Sequence, residues 1–191
     1  MNFSQFLKIA SVQFVLLAML SISGFAYSSI QGWEEGVAAF KSKNYQLAAR
    51  EFKAYTASNP NSDKGHYMLG LSLEQLKNSK QSLHHLRKAY DLNPNDVSIK
   101  LALGRVHVNL GQYKAAFLVL GDGNALHNVH GLSAELGVGL IYNEGVAALY
   151  YYGTAALKLG KKKEGLAALK KAAESEPGNK TYQRAYQAAQ Q

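Results

Sequence analysis

Apolar side chains recur at intervals of three and four residues through the middle of the chain. Leu69, Leu73 and Leu76 fall on one face of a helix, and Leu83 and Leu86 fall on one face of a second helix. A short polar stretch separates the two runs, and an Asn-Pro-Asn sequence follows the second. This spacing predicts a pair of amphipathic helices joined by a tight turn.

The helix pair recurs along the chain with a constant 34-residue period. Gly36, Gly70 and Gly104 are separated by this interval, and so are Pro60 and Pro94. Other positions with the same period are Tyr45, Ser79 and Tyr113; Ala48, Ser82 and Ala116; and Phe52, Leu86 and Leu120. We expect the small residues where the two helices of a hairpin cross closely, and the prolines where the second helix ends. Because one hairpin cannot bury its apolar face alone, the hairpins must stack.

This set of positions resembles the tetratricopeptide repeat. The second unit carries it as Tyr67, Leu69-Gly70, Ser82, Leu86, Ala89 and Pro94. The first unit carries it as Trp33, Gly36, Tyr45, Ala48, Phe52 and Pro60, and the third as Leu103-Gly104, Gly111-Gln112-Tyr113, Ala116 and Leu120. The fourth unit carries it as Gly153, Gly160, Gly165, Leu169 and Pro177. The resemblance implies an all-α solenoid of stacked helix-turn-helix repeats that ends in a capping helix.

The repeats divide the chain into segments. Three repeats are predicted over 29–130, a fourth over 146–179 and a capping helix over 180–191. About 15 extra residues separate the third and fourth units, and the segment 131–145 is predicted to be a Gly-rich insertion or a decayed repeat. Long loops often carry function, so a binding loop at the edge of the solenoid remains an alternative for this region.

The N-terminal segment 1–26 differs from the rest of the chain. Its only charge is Lys8, its unbroken apolar core is Phe14–Leu20, and Gly24 and Ala26 are small residues at its end. This arrangement predicts a secretory signal peptide over 1–26, with an uncleaved membrane anchor as the alternative. Either way, the repeats are expected outside the cytoplasm, in a periplasmic or secreted protein or, with the anchor, in a membrane-anchored protein that faces outward.

Composition narrows the chemistry. The chain has no cysteine, so disulfides, thiolate metal sites and cysteine nucleophiles are excluded. No phosphate-binding loop, nucleophile elbow or zinc-protease motif occurs. His127, His130 and Glu135 have a spacing that could hold a metal, but histidines in loops are usually solvated. We therefore predict no metal, no cofactor and no enzymatic activity.

The resemblance also implies a binding face, because in this family the first helices of successive units line a concave groove. The side chains at those positions are Trp33, Phe40, Lys41, Lys64, Tyr67, Glu74, Gln75, Arg105, Asn109, Tyr150 and Lys158. Binding surfaces favour aromatic residues and arginine, so Trp33, Tyr67 and Arg105 are the predicted anchors. The aromatic residues could instead pack between units. Some relatives grip a terminal carboxylate with lysine and asparagine, where this chain has Trp33 and Val37, so that activity is not expected.

These features predict a protein-binding scaffold or assembly factor that captures a peptide or protein in the groove. The formal net charge of +8 supports an alternative, a basic module that contacts an anionic membrane or envelope polymer. Its contacts would come from the lysine-rich fourth repeat, at Lys158, Lys161, Lys162, Lys163, Lys170 and Lys171. No nucleic acid is expected as a partner.

Overall fold

A computed structural model describes residues 32–121 and 144–191, and these residues form nine α-helices and no strand. The helices are α1 (32–41), α2 (Tyr45–Ser58), α3 (Asp63–Gln75), α4 (Ser79–Leu92), α5 (Val97–Asn109), α6 (Tyr113–Leu120), α7 (Glu144–Lys158), α8 (Lys162–Ser175) and α9 (Lys180–Gln190). The predicted all-α solenoid is confirmed. The predicted signal peptide, most of the Gly-rich segment and the residues His127, His130 and Glu135 lie outside the described residues.

Each unit is a helix hairpin that packs on the next. The first helix α5 contacts both α3 and α7, and the second helices α4 and α6 each contact the first helices on either side. Helix α7 packs against both α5 and α6, as α5 packs against both α3 and α4. The fourth unit therefore stacks directly on the third, although the chain between them is longer than elsewhere.

Glycine permits the close crossing of the two helices within a unit. A methyl carbon placed on Gly70 would lie 2.6 Å from Cγ of Leu86, and one placed on Gly104 would lie 2.5 Å from Cγ of Leu120. The hydroxyl of Ser82 donates a 2.8 Å hydrogen bond to the carbonyl of Gly70. The glycine and small-residue positions of the repeat are thus helix crossings, as the sequence predicts.

The turn inside each hairpin has one geometry in all four units. A residue with positive φ follows each first helix, at Lys43, Lys77, Gly111 and Gly160. In unit two the next amide, that of Asn78, donates a 2.9 Å hydrogen bond to the carbonyl of Leu73. This is a Schellman motif, which satisfies carbonyl groups that the helix end leaves unpaired. The motif fixes the point at which every first helix stops.

Helix α9 closes the stack as the predicted capping helix. Tyr182 is buried, and its ring lies 5.1 Å from that of Tyr150 in α7. Gln183 donates a 2.7 Å hydrogen bond to the carbonyl of Ala173 in α8. One face of α9 thus covers the apolar side of the last unit. In the ranges 32–121 and 144–191, every helix is too short or too polar to cross a bilayer.

Candidate binding surfaces

Two of the predicted groove residues belong to the core. Helix α3 is buried on all sides from Gly65 to Leu73, and Tyr67 is 1% exposed. Phe40 is 7% exposed, and its ring lies 5.4 Å from that of Tyr45. The prediction that Tyr67 and Phe40 line an accessible groove is therefore wrong, because their rings fill space between packed helices.

Trp33 and Tyr150 are partly buried and pack within the stack. The Trp33 ring lies 5.4 Å from Phe52 and 5.0 Å from Tyr55, both on α2. Tyr150 packs against Tyr182 of the capping helix. At least one side of each ring therefore packs inside the stack, as the alternative interpretation of these aromatic residues expects. Only part of each ring remains available to a partner.

Arg105 forms its ion pair inside the chain. Its Nε donates to Oε1 of Glu74 over 2.8 Å, and its Nη2 donates to Oε2 over 2.6 Å. The two side chains are only 15% and 12% exposed. Burial would lower the pKa of Arg105, but the charge and hydrogen bonds of Glu74, together with Tyr151 and Tyr67, raise it overall. Arg105 therefore ties α5 to α3, and this pairing contradicts its prediction as an anchor for a partner.

Four of the remaining predicted residues form a row of exposed side chains. They are the last residues of α1, α3, α5 and α7, and the first three are separated by the 34-residue period. Stacked antiparallel hairpins place all first helices in the same direction, so these residues lie along one edge of the stack. We call this set the first-helix row: Lys41, Gln75, Asn109 and Lys158. Lys64, at the start of α3, is also exposed but lies at the opposite end of its helix.

The predicted basic residues of the fourth unit are all exposed. Lys161 lies 3.4 Å from Glu164, with its ammonium 5.1 Å from the centre of the Phe117 ring, and Lys170 lies 3.7 Å from Glu174. Surface pairs of this kind contribute little to stability. The five lysines thus outnumber the two glutamates that pair with them. We call the five lysines the α8 patch: Lys161, Lys162, Lys163, Lys170 and Lys171.

Sequence reasoning missed a histidine pair that joins α3 to α4. Nδ1 of His66 lies 3.1 Å from Nδ1 of His85, and Nε2 of His66 lies 3.1 Å from the carbonyl of Pro60. A carbonyl only accepts, so Nε2–H of His66 donates to it. Nδ1 of His66 then accepts a hydrogen bond that Nδ1–H of His85 donates. Burial, followed by the charges of neighbouring histidines and Lys53, lowers the pKa of His85 to about 4. The register of the two antiparallel helices could have predicted this contact. His66 lies one turn before Gly70, His85 lies one turn beyond Ser82, and Gly70 and Ser82 face each other.

No group of three histidine, aspartate or glutamate residues in the described parts of the chain is arranged to hold a metal ion.

Two family models described as tetratricopeptide repeat match the sequence. One matches residues 33–97 and 67–120, and the other matches residues 147–179. Together they account for well over half of the chain, in the same units that the structure shows as helix hairpins. The chain belongs to the tetratricopeptide repeat family.

Among solved structures, the fold is similar to that of MamA. A structure described as "MamA RS-1 ArsTM double mutant" is 20% identical with a TM-score of 0.67, and the match covers 85% of this chain and 83% of that one. "MamA 41-end from Desulfovibrio magneticus RS-1" is 19% identical with a TM-score of 0.64, covering 85% and 89%. At these identities the similarity is one of fold. No curated protein sequence matches the chain.

Proposed function

We propose that this chain is a non-catalytic scaffold of the cell envelope that binds a protein partner along the first-helix row. The observation that carries the proposal is that the equivalent position is exposed in all four units. A partner lying along this edge would contact several units at once. The row has no aromatic anchor, so the binding would depend on hydrogen bonds rather than on a buried ring.

The side chains of the row suit an extended peptide. The amides of Gln75 and Asn109 can each donate and accept, as a peptide backbone requires. The ammonium groups of Lys41 and Lys158, at the two ends of the row, donate only and suit carbonyl or carboxylate oxygens. Both lysines also stand at helix C-termini, where a positive charge is favourable. The proposed partner is therefore an extended segment with an acidic group near an end.

Site-specific photo-crosslinking in the native envelope tests this proposal. A photoreactive amino acid at Gln75 or Asn109 should yield one discrete protein adduct. The matched control is the same amino acid at Asp91, an exposed position on a second helix. Adducts at Asp91 but not at the row, or none at any position, would contradict binding at this edge.

We also propose that the chain is exported. The support is the sequence of residues 1–26, with Lys8 before a short apolar core and Ala26 at the expected cleavage point. Mass spectrometry of the native protein should find an N-terminus at or near Tyr27. A soluble cytoplasmic protein that begins at Met1 would contradict export.

A second candidate function is contact with an anionic membrane or envelope polymer through the α8 patch. The exposure of all five lysines favours it. Binding to anionic vesicles should fade as ionic strength rises, because salt screens exposed charges. Binding that is unchanged in high salt, or unchanged when Lys162 and Lys163 are replaced by glutamine, would contradict this candidate.

A further inference from the structure

The second helices carry a pocket that the first-helix row does not use. It has a volume of about 600 Å³ and lies between α2, α3 and α4. Leu69 and Leu73 of α3 are buried and contribute to its apolar floor, while Arg50, Lys53 and Lys80 are exposed cations from α2 and α4. Ala49, Gln81, His84 and His85 complete the lining.

A second pocket, of about 540 Å³, recurs one unit further along. Its Arg87 and Lys114 are the repeat equivalents of Lys53 and Lys80. His107, Ala115 and Leu118 are likewise equivalent to Leu73, Gln81 and His84 of the first pocket. Five lining positions thus recur at the 34-residue period, and each pocket has one cation from the preceding second helix and one from the following second helix.

Both pockets are positively charged. None of the residues that line them is acidic. Arg50 pairs with Glu51 over 2.7 Å, but within the described ranges no ion pair neutralises Lys53, Lys80, Arg87 or Lys114. An anionic group would thus meet two uncompensated cations in each pocket.

Two of the three histidines that line the pockets, His85 and His107, have a lowered pKa. Burial is the main cause that lowers the pKa of His85 and of His107, and the charge of Lys53 or of Arg87, respectively, lowers it further. Both rings are therefore neutral near pH 7, and the lysines and arginines supply the charge of the pockets.

The second pocket also holds exposed apolar surface. Leu118 is 70% exposed and Leu159 is 39% exposed, and they are the large exposed hydrophobic residues of the described chain. Both line this pocket. Exposed apolar surface beside polar residues is typical of interaction sites.

We propose that the second-helix face of units one to three binds an acidic peptide segment of a partner protein. The peptide would place an apolar side chain in each pocket and carboxylates against the pairs Lys53–Lys80 and Arg87–Lys114. Charge complementarity selects an acidic segment, and the apolar floors select a peptide over a polyanion or a lipid surface. This site uses none of the four residues of the first-helix row and does not depend on it.

Fluorescence anisotropy with the full chain and a labelled peptide tests the proposal. The probe carries two Glu-Leu-Glu triplets joined by a Ser-Gly spacer, and matched peptides carry Gln for Glu or Ser for Leu. Replacing Lys80 and Lys114 together with glutamine should weaken binding of the probe about tenfold. Leu118→Ser should also weaken it about tenfold, because an apolar contact is lost. The control, Lys162→Gln with Lys163→Gln, removes the same charge from the α8 patch and should change affinity less than about twofold.

The result that supports the proposal is a loss confined to the pocket variants, with circular dichroism showing that each variant folds. Equal losses in the pocket and α8 variants would overturn it in favour of non-specific charge. A loss with the double lysine variant but none with Leu118→Ser or the serine peptide would overturn the apolar contact. Failure of the probe to bind at millimolar concentration would overturn the site. The site would also be overturned if the pocket variants lost binding to phosphatidylglycerol vesicles but kept binding to the peptide. None of these outcomes bears on binding at the first-helix row, which crosslinking at Gln75 and Asn109 tests separately.

Discussion

Replacement of Gly70 by alanine adds a single methyl group at the helix crossing of unit two. The new carbon would lie 2.6 Å from Cγ and 2.8 Å from Cδ2 of Leu86. Carbon atoms in good contact are about 3.5–4.0 Å apart, so the overlap is on the order of 1 Å. Leu86 has no exposed surface, and its own backbone nitrogen would lie 3.4 Å from the methyl, so the side chain has little room to retreat.

Two effects of opposite sign decide the size of the change. Alanine is favoured over glycine inside a helix by about 1 kcal/mol. Overpacking of a well-packed core costs about 1–3 kcal/mol. We therefore expect Gly70→Ala to lower the free energy of unfolding by up to about 2 kcal/mol, whereas the same change at an uncrowded helical position would raise it.

A double-mutant cycle separates these effects. Leu86→Ala removes the atoms that the new methyl would strike, at a cost of about 2–5 kcal/mol in its own right. In that background, Gly70→Ala should raise the free energy of unfolding by about 1 kcal/mol, since only the helix preference remains. Urea unfolding followed by circular dichroism gives the four values, and the expected coupling between the two changes is about 1–3 kcal/mol.

The cycle has a clear contrary outcome. If Gly70→Ala stabilises the chain equally in both backgrounds, the coupling is zero. The two helices would then not cross closely at Gly70, and the interpretation of the repeated glycine positions as crossings would fail.

Two further predictions concern polar contacts between helices. Glu74→Gln leaves the charge of Arg105 poorly compensated, so we expect a loss of about 3–5 kcal/mol in urea unfolding, and a much smaller loss when Glu74→Leu is combined with Arg105→Met. Equal losses in the two variants would show that the ion pair is not the cause. For the histidine pair, the pKa of His85 is about 4 in the folded chain and 6.5 in the unfolded chain. Between pH 4 and pH 6.5 the unfolded chain therefore binds more protons than the folded chain. The free energy of unfolding should be highest above about pH 6.5 and should fall as the pH approaches 4. Urea midpoints measured across that range should show a weaker pH dependence for His85→Asn. A pH profile that the substitution leaves unchanged would contradict the role of His85.

The repeat could be predicted because its signals are local. The regular period, the glycines at the helix crossings and the asparagine and proline between units all act through backbone geometry within one hairpin. The capping role of the last helix also follows from its single apolar face.

The accessible surface could not be predicted in the same way. The family pattern places Tyr67 and Arg105 on the groove side of their helices. Helix α3, however, is buried on all sides from Gly65 to Leu73, and Arg105 reaches Glu74 in the unit before. The exposure of a side chain depends on which residues of the neighbouring units pack against it. The sequence of a single repeat does not specify those residues. A residue at a binding position can therefore become part of the core without any change in the local pattern.

The sequence by itself thus determined the hairpins, their period and their order of stacking, because each hairpin has an apolar face that only another hairpin can cover. The tertiary structure alone decided which polar and charged groups meet. The contact between His66 and His85 joins two helices of one unit, and the pockets each combine a cation from one unit with a cation from the next. Such groups lie on different helices and far apart along the chain, and only the angle and register of packed helices bring them together.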